Sequence, residues 1–205
     1  MMFTLPMWTG DPTDLVTRWF SELDRFDHPV TALLARDRQP MNYVEDRLIT
    51  AGGLIETLLP ALGVDGKAQA TPEREAQIAR VVDALGRTGL NEHDLAFARK
   101  ALRGRNDKTF REKFVAVAER AGQVGKQVLE SQAELGGNLA NLRGGPAHGK
   151  STKLGSEGHW AADAARWIAY AAIMLELGFD PAQVDNRLTR HSTFRRCLLG
   201  LRTGD

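Results

Sequence analysis

The sequence predicts an all-α protein. Three observations carry that expectation: apolar residues recur three and four apart along most of the chain, no stretch alternates apolar and polar over a strand's length, and a capping side chain stands directly before a proline at Asp11-Pro12, Thr71-Pro72 and Asp180-Pro181. Spacing of three and four lines one face of a helix. A cap followed by proline at the first helical position marks where a helix starts.

In chain order, a first helix begins at Pro12 behind Asp11. Val44, Leu48, Ala51, Ile55, Leu58 and Leu62 form the stripe of a second, spanning about residues 41 to 62, which Gly63 stops. Thr71 caps a third, with Ile78, Val81, Val82 and Leu85 on its apolar face and Gly86 at its end. Asn91 caps a fourth that begins at Glu92, with Gly104 as the stop. Phe110, Phe114, Val117 and Ala121 line a fifth, which ends at Gly122. Val124, Val128, Leu135, Leu139 and Leu142 then mark one helix from about 123 to 142. Another follows from about 157 to 177, where Trp160, Ala164, Trp167, Ala171 and Leu175 stand among many alanines, so that much of its surface is apolar. Such a helix is buried nearly all round, either as the centre of the monomer or in part at a dimer interface. Residues 181 to 205 read as basic C-terminal helices, and residues 1 to 12 as an extended N-terminal segment. Only Gly63 to Ala70 has the composition of a flexible connection, so the chain reads as a single domain over residues 1 to 205.

Composition removes several classes of function. The length of 205 residues, with 42% hydrophobic residues, suits one large domain with its own core. A net charge of +1 offers no global attraction for a polyanion, so a nucleic-acid site has to be local. The longest apolar run, Trp167 to Leu175, is far short of the roughly 20 residues a membrane span needs. A lone cysteine, Cys197, excludes an internal disulfide and a multi-cysteine zinc site, and the start MMFTLPMWTG lacks the basic flank of a signal peptide, which together point to the cytoplasm.

The stretch with most chemistry in it is NLRGGPAHGK, residues 141 to 150. In an unbroken helix Arg143 and His148 stand about 140° apart around the axis. Gly144, Gly145 and Pro146 are residues that end helices, and a turn there brings His148 back beside Arg143. Histidine exchanges protons near neutral pH, and arginine holds phosphate oxygens in a bidentate fork, so the two suit metal-independent phosphodiester cleavage. The spacing alone is common: 20 arginines and 5 histidines in this length predict roughly one or two matches with four to six intervening residues by chance. The chain has two, the other being RTGLNEH from Arg87 to His93, which also reads as a helix end followed by an N-terminal turn.

The segment LVTRWFSELDRFDHPVTALLARDRQPMNYVEDRLITAGGLIETLL, then TFREKFVAVAERAG, then LRGGPAHGK, resembles the ApeA-like branch of the HEPN superfamily, over about residues 14 to 180. The resemblance implies an HEPN-type helical bundle with additional helices, in a protein of bacterial antiphage defence (abortive infection) or of a toxin system. It implies that Arg143 and His148 are the catalytic pair of a metal-independent endoribonuclease that needs no cofactor, and that two protomers pair as a homodimer with both motifs in one cleft. RNA is the implied substrate, with an antitoxin or a phage-derived trigger as a further partner. The family usually has a polar residue directly after the arginine, and this chain has Gly144. Asn141 or Lys150 is the expected substitute, and the departure leaves open an alternative, a catalytically inactive RNA-binding or assembly module. Family members often carry an N-terminal β-rich domain, so a stand-alone form and a C-terminal part are both expected readings.

Residues 186 to 204 hold five arginines, His191 and no acid. With Lys153, two of them, Arg195 and Arg196, are expected to follow an RNA backbone electrostatically. The pair His93-Asp94 raises metal-dependent hydrolysis as a rival, although an acid there equally suits the first turn of a helix. His28, before Pro29, reads as a helix-end or turn residue.

Overall fold

Every cap-and-proline pair opens a helix in the computed structural model, which describes residues 10–38, 43–67, 71–104, 107–147 and 156–204. Among these residues there are ten helices and no strand: α1 (Pro12–Arg38), α2 (Val44–Ala61), α3 (Pro72–Gly86), α4 (Glu92–Gly104), α5 (Phe110–Arg120), α6 (Gly122–Ser131), α7 (Leu135–Ala147), α8 (Ser156–Glu176), α9 (Pro181–Thr189) and α10 (Ser192–Thr203). The all-α expectation holds. Thr71 Oγ1 accepts from the Arg74 N–H at 3.2 Å, Asp180 Oδ1 from Gln183 at 2.9 Å and Asn91 Oδ1 from Asp94 at 2.9 Å, so each cap satisfies a donor that the helix itself cannot. Residues 1–9 of the expected extended N-terminal segment lie outside the described residues.

The chain divides into two compact units, Met1–Val64 with Phe110–Asp205, and Asp65–Thr109. The smaller one is the α3–α4 hairpin. Ile78 and Val82 are its buried side chains, and ion pairs join Arg103 to Glu75 at 2.7 Å and Lys67 to Asp107 at 2.5 Å. These pairs are well exposed, where one such ion pair contributes about 1 kcal/mol at most.

In the larger unit the sequence-based boundaries need two corrections. α1 runs through His28 and Pro29, so His28 is neither a helix end nor a turn residue but an exposed position within a helix. A proline inside a helix forfeits one hydrogen bond, and here Phe26 and Leu33 are buried on either side of it, which offsets the loss. Second, the single helix expected from 123 to 142 is two. Gln132 leaves α6 in extended backbone (φ −154, ψ 96), and α7 starts at Leu135. The bend sets Gly136 against Arg111 and Phe114 of α5, each 3.1 Å from where a Cβ would stand, and leaves Leu135 and Leu139 fully buried.

α8 is the centre of the larger unit, packed by α2, α5, α6, α7, α9 and α10. Fourteen of its residues are buried, among them Ala161, Ala162, Ala164, Ala165, Ala169, Ala171 and Ala172. The alanine surface is therefore consumed inside the monomer, and the reading of residues 161 to 172 as a dimer contact does not stand. Small side chains let α2 and α10 approach closely, and Trp167 fills the space between α8 and α10 with its ring 5.4 Å from that of Phe194.

One carboxylate sits poorly in this packing. Asp185 of α9 has a buried Oδ1 with no hydrogen-bond partner among the described residues, and burial pushes its carboxyl above the ordinary range, partly offset by the Gln123 backbone N–H. A raised carboxyl binds its proton more tightly folded than unfolded, so stability declines as pH rises through the window just above the unfolded value. Asp185→Asn is accordingly expected to stabilise the protein at neutral pH by a few tenths of a kcal/mol, since the group is only partly buried and solvent screens it, and the gain should vanish at about pH 4. Melting curves of the two proteins at both pH values check this. A variant less stable at neutral pH and equal at low pH would contradict it.

Candidate active site

α7 carries Arg143, and it does not stop there. The expected break at Gly144, Gly145 and Pro146 is absent: the helix continues through all three to Ala147. Proline in a last turn loses only the bond to a carbonyl close to the helix end, and each glycine lowers helix stability by about 1 kcal/mol without forbidding the helix. His148, Lys150 and Lys153 lie outside the described residues, as does the side chain of Arg143, so the distance within the expected pair is not part of the described structure.

Positions 141 and 143 are about 200° apart around the axis, and Asn141 is exposed while Leu135 and Leu139, four residues apart, define the buried stripe. Asn141 is thus on the side of α7 away from that stripe.

Both flanks of residues 148–155 are anchored in the larger unit. α7 packs on α2, α5 and α8. At the other flank, Ser156 donates its hydroxyl to the Gly204 carbonyl at the end of α10, and Gly158 lies so close to α2 that a Cβ there would stand 2.8 Å from Val44 Cγ1.

One turn into α8 the structure gathers residues that the sequence pattern did not single out. Arg47 of α2 donates through Nη1 to His159 Nδ1 at 2.7 Å, and His159 Nε2 is 3.6 Å from Asp163 Oδ2. An arginine is always a donor, so His159 Nδ1 is the acceptor and Nε2 carries the proton, facing the buried carboxylate. His159 also meets Trp160 edge-on, with ring centroids 4.7 Å apart. Half of this constellation had a sequence signal, since His159 and Asp163 are four apart on one helix face; Arg47, more than a hundred residues away, had none. Through the bond between Arg47 and Nδ1, His159 links α2 to α8.

The second motif match reads as structure. Arg87 caps the end of α3 and pairs with Asp83 at 2.6 Å, and His93 lies exposed in the first turn of α4. Among the described residues no group of three or more histidine, cysteine or carboxylate side chains can hold a metal ion, which leaves the His93 hydrolase reading without a site there. Arg195 and Arg196 are both exposed on α10. Among the described residues no helix is long and apolar enough to cross a membrane. No protein-family model, curated protein or solved structure matches the chain.

Proposed function

We propose that the chain is a metal-independent endoribonuclease of a bacterial defence or toxin system, with Arg143 and His148 as its catalytic pair. What supports the reading is the order of elements: an arginine near the end of one bundle helix, α7, and a histidine just beyond it, ahead of the most deeply buried helix, α8. That order is the one the HEPN resemblance implies. In the proposed reaction His148 takes the proton of the substrate's 2′-hydroxyl, whose oxygen attacks the adjacent phosphorus. Arg143 holds the charge that builds on the phosphate oxygens, and the 5′-oxygen leaves with a proton, giving a 2′,3′-cyclic phosphate. Two protons move, so a two-fold dimer that brings two such segments together would supply both groups. With the α8 alanines buried, the surface for that dimer is some other part of the protein.

Gly144 favours a second reading, a binding or assembly module of the same architecture that has no cleavage activity. One incubation separates the two. Purified protein with EDTA is expected to cut single-stranded RNA to products ending in a cyclic phosphate and to leave DNA of the same sequence whole, because DNA lacks the internal nucleophile. Equal cutting of both strands would remove the mechanism, and RNA left intact under every activating condition would favour the binding module.

A further inference from the structure

We infer that the exposed face of α10 binds the phosphate backbone of a nucleic-acid strand without regard to its sequence. That this face feeds RNA to the segment between α7 and α8 rests on the ribonuclease reading; the binding itself does not. Phe194, Cys197 and Leu201 bury one side of α10 in the core and so fix which side faces out. On the outer side stand Arg195, Arg196, Leu199 and Arg202, all exposed. Arg195, Leu199 and Arg202 are four and three residues apart and fall within a sector of about 60°, and the two arginines are separated by roughly 10 Å along the axis. With Leu198 they line a shallow groove of about 500 Å³.

The charge on this face is uncompensated. No acid occurs from residue 186 to 204, and none of the three arginines has a carboxylate partner among the described residues; Arg202 donates only to Ser131 Oγ, at 3.2 Å. In a protein whose net charge is +1 such a cluster is a local positive field, which is the electrostatic signature of a phosphate track. Guanidinium groups grip phosphate oxygens in pairs. α10 offers no exposed ring on which bases could stack, since its one aromatic residue, Phe194, is buried, and it has no asparagine or glutamine to pair with adenine, so contact through the backbone phosphates is favoured. A lipid surface fits less well, because a membrane-lying helix buries its apolar face in the lipid and the apolar face of α10 is already in the core. The bond from Ser156 to the Gly204 carbonyl ties the end of this face to the first residue after the motif segment.

The test uses the full chain carrying His148→Ala, with and without Arg195→Ala, Arg196→Ala and Arg202→Ala together, and labelled 20-nucleotide strands of U, of A, and of DNA. Exposed arginines leave the fold intact, which an unchanged melting curve verifies. The parent is expected to bind all three strands within a few-fold of one another. In the triple variant, affinity at low salt should fall about tenfold or more, and the slope of log affinity against log salt should shrink by about 2, near 0.7 for each phosphate that is no longer neutralised. Unchanged affinity and slope would overturn the inference, as would a strong preference for one homopolymer. Loss of binding to anionic vesicles with RNA binding intact would overturn it in favour of a membrane. DNA binding that disappears with the arginines in a protein that never cuts RNA would support the face and count against the ribonuclease reading alone.

Discussion

A single methyl group added at Gly125 is expected to destabilise the protein by about 3 kcal/mol or more, at the upper end of what overpacking costs. Gly125 is where α6 crosses α5, and a Cβ there would stand 1.8 Å from the Ala118 carbonyl oxygen and 2.6 Å from its carbon. Those atoms belong to the backbone of α5 and cannot rotate away as a side chain would, so the two helices must separate. Separation opens the core around Val117, Ala118, Val124 and Val128, all fully buried. The melting temperature of Gly125→Ala should drop by roughly 6–12 °C for a chain of this size. Gly53→Ala is the control: it lies in α2 with nothing within 4 Å of its Cβ position, so the gain in helix propensity, up to about 1 kcal/mol, should raise the melting temperature. Equal small shifts in the two variants would show that the α5–α6 crossing is looser than the geometry states.

His148→Ala is expected to lower RNA cleavage by about 10²–10⁴-fold, the range that a positioned proton-transfer group contributes. Arg143→Ala should lower it through kcat as well, because the charge it meets exists in full only in the transition state. Neither change should move the melting temperature much if both residues serve chemistry rather than packing. Cleavage at full rate by His148→Ala would remove the catalytic assignment. If light scattering finds only monomer while wild-type cleavage is undiminished, one protomer suffices and the paired site is wrong.

What could be read from the residues alone was local. Helix starts at Asp11, Thr71, Asn91 and Asp180 were legible because a cap and its helix lie within four residues of each other, and the burial of α8 was legible because Asp163 and Arg166 are the only charged residues from Trp160 to Leu175. The order of arginine, glycines, proline and histidine in residues 143 to 148 was equally plain. Its conformation was not. Glycine and proline weaken a helix by amounts that packing of α7 on α2 and α5 can outweigh, so the helix passes the point where the residues themselves invite a stop.

The tertiary structure decided whatever depends on residues far apart in the chain. Val128 and Leu135 are seven apart, which one straight helix satisfies as well as two, and the bend at Gln132 follows from how α7 must sit on α5. Two readings were open for the alanines of α8, and α2 and α10 settled them by covering that surface. Arg47 reached His159 only because Gly158 lets α2 and α8 approach at their starts. The arginines of α10 became an outward face only when Phe194 and Leu201 were buried on the other side. In each case the sequence determined what a segment can do within a turn or two, where the interacting groups are near in the chain and few. The choice among those possibilities is made by side-chain packing between distant segments, whose energies together exceed the local preferences.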